Sequence, residues 1–93
     1  MGSKVVRKYL KIRGYVQGVG FRYRAEHAAG MVGVTGWVHN DSDGAVSMEL
    51  QGTEEEIDRV LILVNQGRYV EIQSVDARTV PVKEDEYGFR IID

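Results

Sequence analysis

Between Val5 and Gly14, apolar side chains at Val6, Leu10 and Ile12 alternate with Arg7, Tyr9, Lys11 and Arg13, the two-residue period of a strand with one face buried. Lys8 falls on the apolar side near the strand's start, where its ammonium can turn into water. After residues 15–20 the period changes. Phe21, Ala25, Ala28, Ala29 and Val32 recur at helical spacing and give a narrow, alanine-lined face suited to close packing on a sheet, with Gly33 as the stop. Alternation returns from Val34 to Asn40, placing Val34, Gly36 and Val38 on one face and Thr35, Trp37 and His39 on the other. Asp41-Ser42-Asp43-Gly44 carries the Asp-Gly signature of a hairpin turn, and Val46, Met48 and Leu50 point inward from a strand over Ala45–Gln51 that Gly52 ends. Thr53-Glu54-Glu55-Glu56 is a capping box whose glutamates also favour the positive end of the helix dipole. Ile57, Val60, Leu61 and Val64 form the buried stripe of that helix, and Gly67 is expected just past its end. A fourth strand is predicted within Ile72–Val82, with Val75, Ala77 and Thr79 alternating against Asp76, Arg78 and Val80, and Pro81 confines it to an edge or an end. Lys83–Glu86 reads as a charged turn, and Tyr87–Ile92 as a last short strand with Phe89 and Ile91 on one face.

The resulting order, βαββαβ with a short extra C-terminal strand, predicts an α+β fold: a ferredoxin-like sandwich with two helices on one face of an antiparallel sheet. Right-handed crossovers put the first strand beside the third and the third beside the second. The first two strands then run the same way, so the loop after the first and the end of the second meet at one edge of the sheet. Arg22 and Asn40 share that edge, two strand spacings or roughly 10 Å apart.

Composition narrows the chemistry. Ninety-three residues make one domain, 1–93, with residues 1–4 expected to lie outside its folded part. The absence of cysteine excludes disulfides, thiolate nucleophiles and zinc–sulfur sites, and leaves His27 and His39 as nitrogen ligands. No apolar run approaches the ~20 residues of a membrane span and no signal segment opens the chain, so a cytoplasmic protein with no membrane partner is expected. The net charge of −2 is unevenly spread: through position 24 the chain carries Lys4, Arg7, Lys8, Lys11, Arg13, Arg22 and Arg24 without an acid. A basic first quarter suits a small anion. It could also suit nucleic acid, but the overall balance is acidic and no aromatic-interleaved RNA motif appears, so no nucleic-acid partner is expected.

The residues that carry chemistry lie in Val16-Gln17-Gly18-Val19-Gly20-Phe21-Arg22, between the first strand and the first helix. Two glycines two residues apart let the backbone turn with φ > 0 and present N–H groups to an anion, and Arg22 adds a planar fork that matches phosphate oxygens. The loop is not a nucleotide P-loop, since no Gly-Lys-Ser/Thr follows, and Gly18-x-Gly20 is not completed to a dinucleotide fingerprint. Tyr23 and Arg24, turned about 100° and 200° from Arg22, are expected to flank the site without entering it. The ring of His39 is expected on the opposite sheet face from Asn40. His27 reads as a surface or half-buried side chain and Trp37 as a sheet-packing one. Asp41 and Asp43 read as turn formers, with no metal expected.

The loop Gly14-Tyr15-Val16-Gln17-Gly18-Val19-Gly20-Phe21-Arg22 and the stretch Gly36-Trp37-Val38-His39-Asn40-Asp41-Ser42-Asp43-Gly44-Ala45-Val46 together resemble the two signatures of the acylphosphatases, and the resemblance covers nearly the whole chain. It implies a small, metal-independent, cofactor-free, monomeric hydrolase that cleaves acyl phosphates to a carboxylate and inorganic phosphate, the phosphate also inhibiting competitively. Carried over by residue, Arg22 corresponds to the family's phosphate-binding arginine and Asn40 to its water-positioning asparagine, and the backbone of Gln17, Gly18, Val19, Gly20, Phe21 and Arg22 would hold the phosphate. The sequence departs from the family pattern at His39, at Tyr15 and at Gly67-Arg68-Tyr69, which lacks a Gly-Pro. These departures are expected to alter substrate approach or stability and to leave the reaction type. The alternative is a non-catalytic ferredoxin-like module that binds anions or acyl phosphates without turning them over.

Overall fold

The computed structural model describes residues 4–92. Its elements are β1 (Val6–Tyr15), α1 (Phe21–Val32), β2 (Thr35–Asn40), β3 (Val46–Gly52), α2 (Glu54–Asn65), β4 (Glu71–Val80) and β5 (Phe89–Ile91). The sheet order is β4-β1-β3-β2-β5. Lys4 precedes β1 and is exposed, while the expectation for residues 1–3 falls outside the described residues.

The βαββαβ order and the placement of β3 between β1 and β2 follow the alternation read from the sequence, with one correction. The sheet is mixed, because β5 pairs with β2 in parallel while every other pairing is antiparallel. β4 runs antiparallel to β1 on one edge, so the chain must reverse and cross to the far edge, where it meets β2 running in the same direction.

The core lies between the sheet and the helices. Leu10 and Ile12 from β1, Val38 from β2 and Val46, Met48 and Leu50 from β3 meet Phe21, Ala25, Ala28 and Ala29 of α1 and Ile57, Val60 and Val64 of α2. The alanine face lets α1 sit low on the sheet. Val75 shares its face with Ile12, its register partner, yet remains 43% exposed, because β4 lies at the sheet edge beyond the helices.

The helix ends follow local chemistry. Thr53 Oγ1 accepts from Glu56 N and the Glu56 carboxylate accepts from Thr53 N, a complete capping box. Gly67 follows the cap residue Gln66 as expected, but it is not left-handed. Its lack of a side chain serves packing: a Cβ there would lie 2.7 Å from Arg24 Cδ and 2.9 Å from Val70 Cγ2.

The face of the sheet away from the helices is held by charge. Arg7 is wholly buried there, its Nε on Glu49, its Nη1 on Gln51 at 3.1 Å, and its Nη1 and Nη2 forked onto Glu86 at 2.7 and 3.0 Å. Gln51 in turn pairs with the backbone of Lys83 in both directions. These contacts tie the segment between β4 and β5 across the sheet. Burial opposes the charge on Glu86, but the Arg7 fork together with nearby Thr35 and Lys83 outweighs it and holds the carboxyl below its ordinary range.

Candidate functional site

The loop between β1 and α1 turns through Gly18 at φ 73° and Gly20 at φ 80°, and Gly20 is the N-cap of α1. A Cβ at either position would meet no atom within 4 Å, so it is the left-handed backbone, not crowding, that selects glycine. The first turn of α1 carries no acid to neutralise the positive end of the helix, and Arg22 adds a guanidinium there.

A cavity of about 160 Å³ opens at this point, bordered by Val16, Gly18, Gly20, Phe21, Arg22, Tyr23 and Asn40. The fold thus brings the loop after β1 and the end of β2 to one space, as their shared edge requires. At about 30 Å³ per water, the volume admits an oxyanion with a water beside it. Arg22 is half-buried and is not without a partner. Asn40 Oδ1 is buried with no donor among the described residues, and leaving such an acceptor unsatisfied costs about 1–3 kcal/mol. Val16 and Phe21 form the apolar wall, both almost fully buried.

Of the loop residues singled out from the sequence, Gly18, Gly20, Phe21 and Arg22 border the cavity; Gln17 and Val19 do not. Val19 packs against the core. The Gln17 amide turns to the β2–β3 hairpin, where Nε2 donates to the carbonyl oxygens of Asp41 at 2.7 Å and Ala45 at 2.8 Å. It staples one half of the site to the turn that follows the other half. Tyr23 borders the cavity instead of only flanking it, because it lies on the first turn of α1, beside the loop; Arg24 does not.

Asp41 is the hub of the hairpin. Its carboxylate accepts from Ser47 Oγ, meets His39 Nδ1 at 3.0 Å and lies 3.6 Å from Lys11 Nζ, and Ser47 Oγ is 3.1 Å from Tyr9 OH. Burial disfavours its charge, but Ser47, His39 and Lys11 together outweigh that and lower its pKa. Asp43 accepts from Ala45 N and pairs with Lys11 at 3.0 Å and Arg13 at 3.3 Å, which holds its carboxyl at about 2. Both aspartates therefore shape the turn. The His39 ring faces Asp41 and does not border the cavity. Among the described residues, no three His, Asp or Glu side chains gather where they could share a metal ion, and no helix is long and apolar enough to cross a membrane.

A family model described as Acylphosphatase matches residues 8–91. The chain is 38% identical over 87 residues to the acylphosphatase of Clostridium acetobutylicum, covering 92% of this chain and 96% of that one. It is also 38% identical over 87 residues to the acylphosphatase of Geobacillus kaustophilus, covering 93% of the relative. Among solved structures, the acylphosphatase from Bacillus subtilis superposes with a TM-score of 0.85 at 26% identity, covering 97% of this chain and all of that one. Full-length HypF in its phosphate- and nucleotide-bound form superposes with a TM-score of 0.86 at 25% identity, matching the whole of this chain to 12% of its own.

Proposed function

The chain belongs to the acylphosphatase family and is an enzyme that hydrolyses acyl phosphates to a carboxylate and inorganic phosphate, and we propose that it divides the work between two residues, Arg22 and Asn40. The observation that carries this reading is the single cavity that both border.

The loop backbone at Gly18, Gly20, Phe21 and Arg22, the start of α1 and the Arg22 guanidinium bind the phosphoryl oxygens. Phosphoryl transfer spreads charge over the equatorial oxygens in a loose transition state, so fixed donors aimed there supply most of the rate. Asn40 holds the attacking water: its amide oxygen lacks a donor from the described residues, and a water O–H can supply one. The water oxygen attacks phosphorus and the bond to the carboxyl oxygen breaks. The carboxylate leaves with the electron pair, and the water's proton passes to a phosphate oxygen, since a carboxylate needs little protonation to depart. Asn40, a neutral amide, takes no proton itself. The reaction in this scheme requires neither metal nor cofactor. The chain works as a cytoplasmic monomer, and the product phosphate competes for the same donors.

Phosphate release from acetyl phosphate with chelator present tests the scheme. Arg22→Ala is expected to lower kcat/KM by about 10²–10³-fold. Asn40→Ala should retain phosphate inhibition while kcat falls steeply, because water positioning acts on the chemical step. Full turnover in Arg22→Ala, or loss of turnover with chelator, would refute the corresponding part. A non-catalytic binding module would instead gain stability from phosphate without hydrolysing any acyl phosphate.

A further inference from the structure

A second cavity, of about 470 Å³, lies between the two helices and is bordered by Tyr23, Arg24, His27, Ala28, Met31 and Leu63. Tyr23 borders both this groove and the phosphate cavity, so the two are neighbours across one ring. Of the side chains around the phosphate cavity, Tyr23 is the exposed one: Val16 and Phe21 are buried, Arg22 and Asn40 half-buried. The cavity opens over Gly18, Gly20 and Tyr23, and a group attached to a bound phosphoryl that leaves on the helix side passes Tyr23.

Tyr23, His27 and Met31 follow one another at four-residue spacing along the outer side of α1, a line of about 12 Å at 1.5 Å per residue. Tyr23 is 69% and Met31 66% exposed. Neither contributes to the core cluster, so the fold does not account for this row. Ala28 gives the groove a shallow floor and Leu63 of α2 its opposite wall. Arg24 spans the two helices beside that wall, its Nη2 donating to Leu63 O at 3.4 Å and its stem lying where Gly67 leaves room for it.

The geometry points to this groove as the binding site for the acyl part of the substrate, and to acyl phosphates with an extended apolar acyl chain as the preferred class. The inference rests on the phosphoryl group binding where Arg22 and Asn40 meet. A two-carbon acyl group ends beside Tyr23, a benzoyl ring extends toward His27 one turn along, and an octanoyl chain continues toward Met31 and Leu63. Each methylene laid in the open groove should raise kcat/KM by about twofold, half or less of full burial.

The test compares kcat/KM of the full chain on acetyl, octanoyl and benzoyl phosphate. The octanoyl-to-acetyl ratio is expected to exceed about tenfold in the wild type and to collapse at least tenfold in Met31→Glu, which places a carboxylate in the groove at an exposed position. Ile62→Glu, a change at an exposed apolar residue of α2 outside the groove, should leave the ratio unmoved. Hydrolysis of acetyl phosphate with a chain-length ratio that Met31→Glu does not alter would overturn the groove assignment alone. A dimer in sedimentation that Met31→Glu dissociates without moving the ratio would overturn it in favour of a second copy of the chain. No hydrolysis of any of the three would overturn it together with the catalytic reading.

Discussion

Removing the Gln17 amide should uncouple the two halves of the site without emptying either. In Gln17→Ala, two hydrogen bonds of 2.7 and 2.8 Å disappear, but neither carbonyl is orphaned. Asp41 O still accepts from Gly44 N at 3.2 Å, and Ala45 O still accepts from Asp41 N at 2.9 Å. The cost is therefore the net value of two bonds and not a full desolvation penalty, about 1–3 kcal/mol, or a fall in Tm of about 5–15 °C for a domain of this size. The left-handed glycines and Arg22 keep their own geometry, so inhibition by phosphate should change little. Asn40 sits immediately before Asp41, however, and a hairpin released from the loop aims its amide less well. An error of about 1 Å in positioning can cost as much as 10²-fold, and for a slackened turn we expect a fall in kcat of about tenfold. The decisive measurement is a double-mutant cycle in kcat with Asn40→Ala. If Gln17 acts through Asn40, the tenfold effect vanishes once Asn40 is gone. An undiminished tenfold loss in the Asn40→Ala background would refute the coupling, and a large rise in the phosphate inhibition constant would place Gln17 on the phosphate itself.

Two further perturbations test the open face of the sheet. Arg7→Met leaves Glu49 and Glu86 facing one another without the cation that holds both, so a loss of about 3–5 kcal/mol is expected in urea unfolding, the cost of breaking a buried ion pair from one side; a loss under about 1 kcal/mol would contradict the role given to this cluster. For Asp43, the hydrogen bond from Ala45 N and the ion pair with Lys11 hold the folded carboxyl at about 2, below its ordinary value of 3.8. A depressed folded pKa adds stability that is complete above the unfolded value and is lost as pH falls toward the folded one. The Tm advantage of wild type over Asp43→Asn should accordingly be constant above about pH 5 and shrink between pH 4 and 2, and an advantage that grows on acidification would refute the assignment.

Much of this architecture is legible in the sequence because it depends on local periods. The alternation in β1, β2 and β3, the capping box at Thr53 and the alanine face of α1 each declare their element within a few residues. The juxtaposition of the Gly18–Arg22 loop with Asn40 also follows, since strand order and crossover handedness leave the two segments one edge to share. What the period cannot show is the partner of a side chain that leaves the element. Gln17 lies beside the phosphate loop in sequence and reads as part of it, but its amide serves the hairpin 24 and 28 residues on. Arg7 reads as one of several outward basic residues of β1, and its burial depends on Glu86, 79 residues away. The parallel pairing of β5 is hidden for the same reason, since its direction is set by the route of residues 81–88 across the sheet and not by any pattern within Phe89–Ile91.

The two faces of the sheet consequently have different jobs at the site. On the helix face, apolar packing brings the loop and α1 to the proposed phosphate position, and hydrophobic swaps that keep volume and the glycine turns should cost little there. On the open face, Lys11, Arg13, His39, Asp41, Asp43 and Ser47 fix the β2–β3 hairpin by charge and hydrogen bonds. Asn40 stands where the two systems meet, with its neighbours His39 and Asp41 locked to each other on the open face while its own side chain borders the cavity. The departure from the family pattern at His39 thus acquires a place: the ring pairs with Asp41 away from the cavity, and in the proposed scheme it serves to hold the neighbouring Asn40. A water-positioning amide needs that firmness more than a charged phosphate ligand does, because a guanidinium attracts an anion from several geometries whereas an in-line attack admits one.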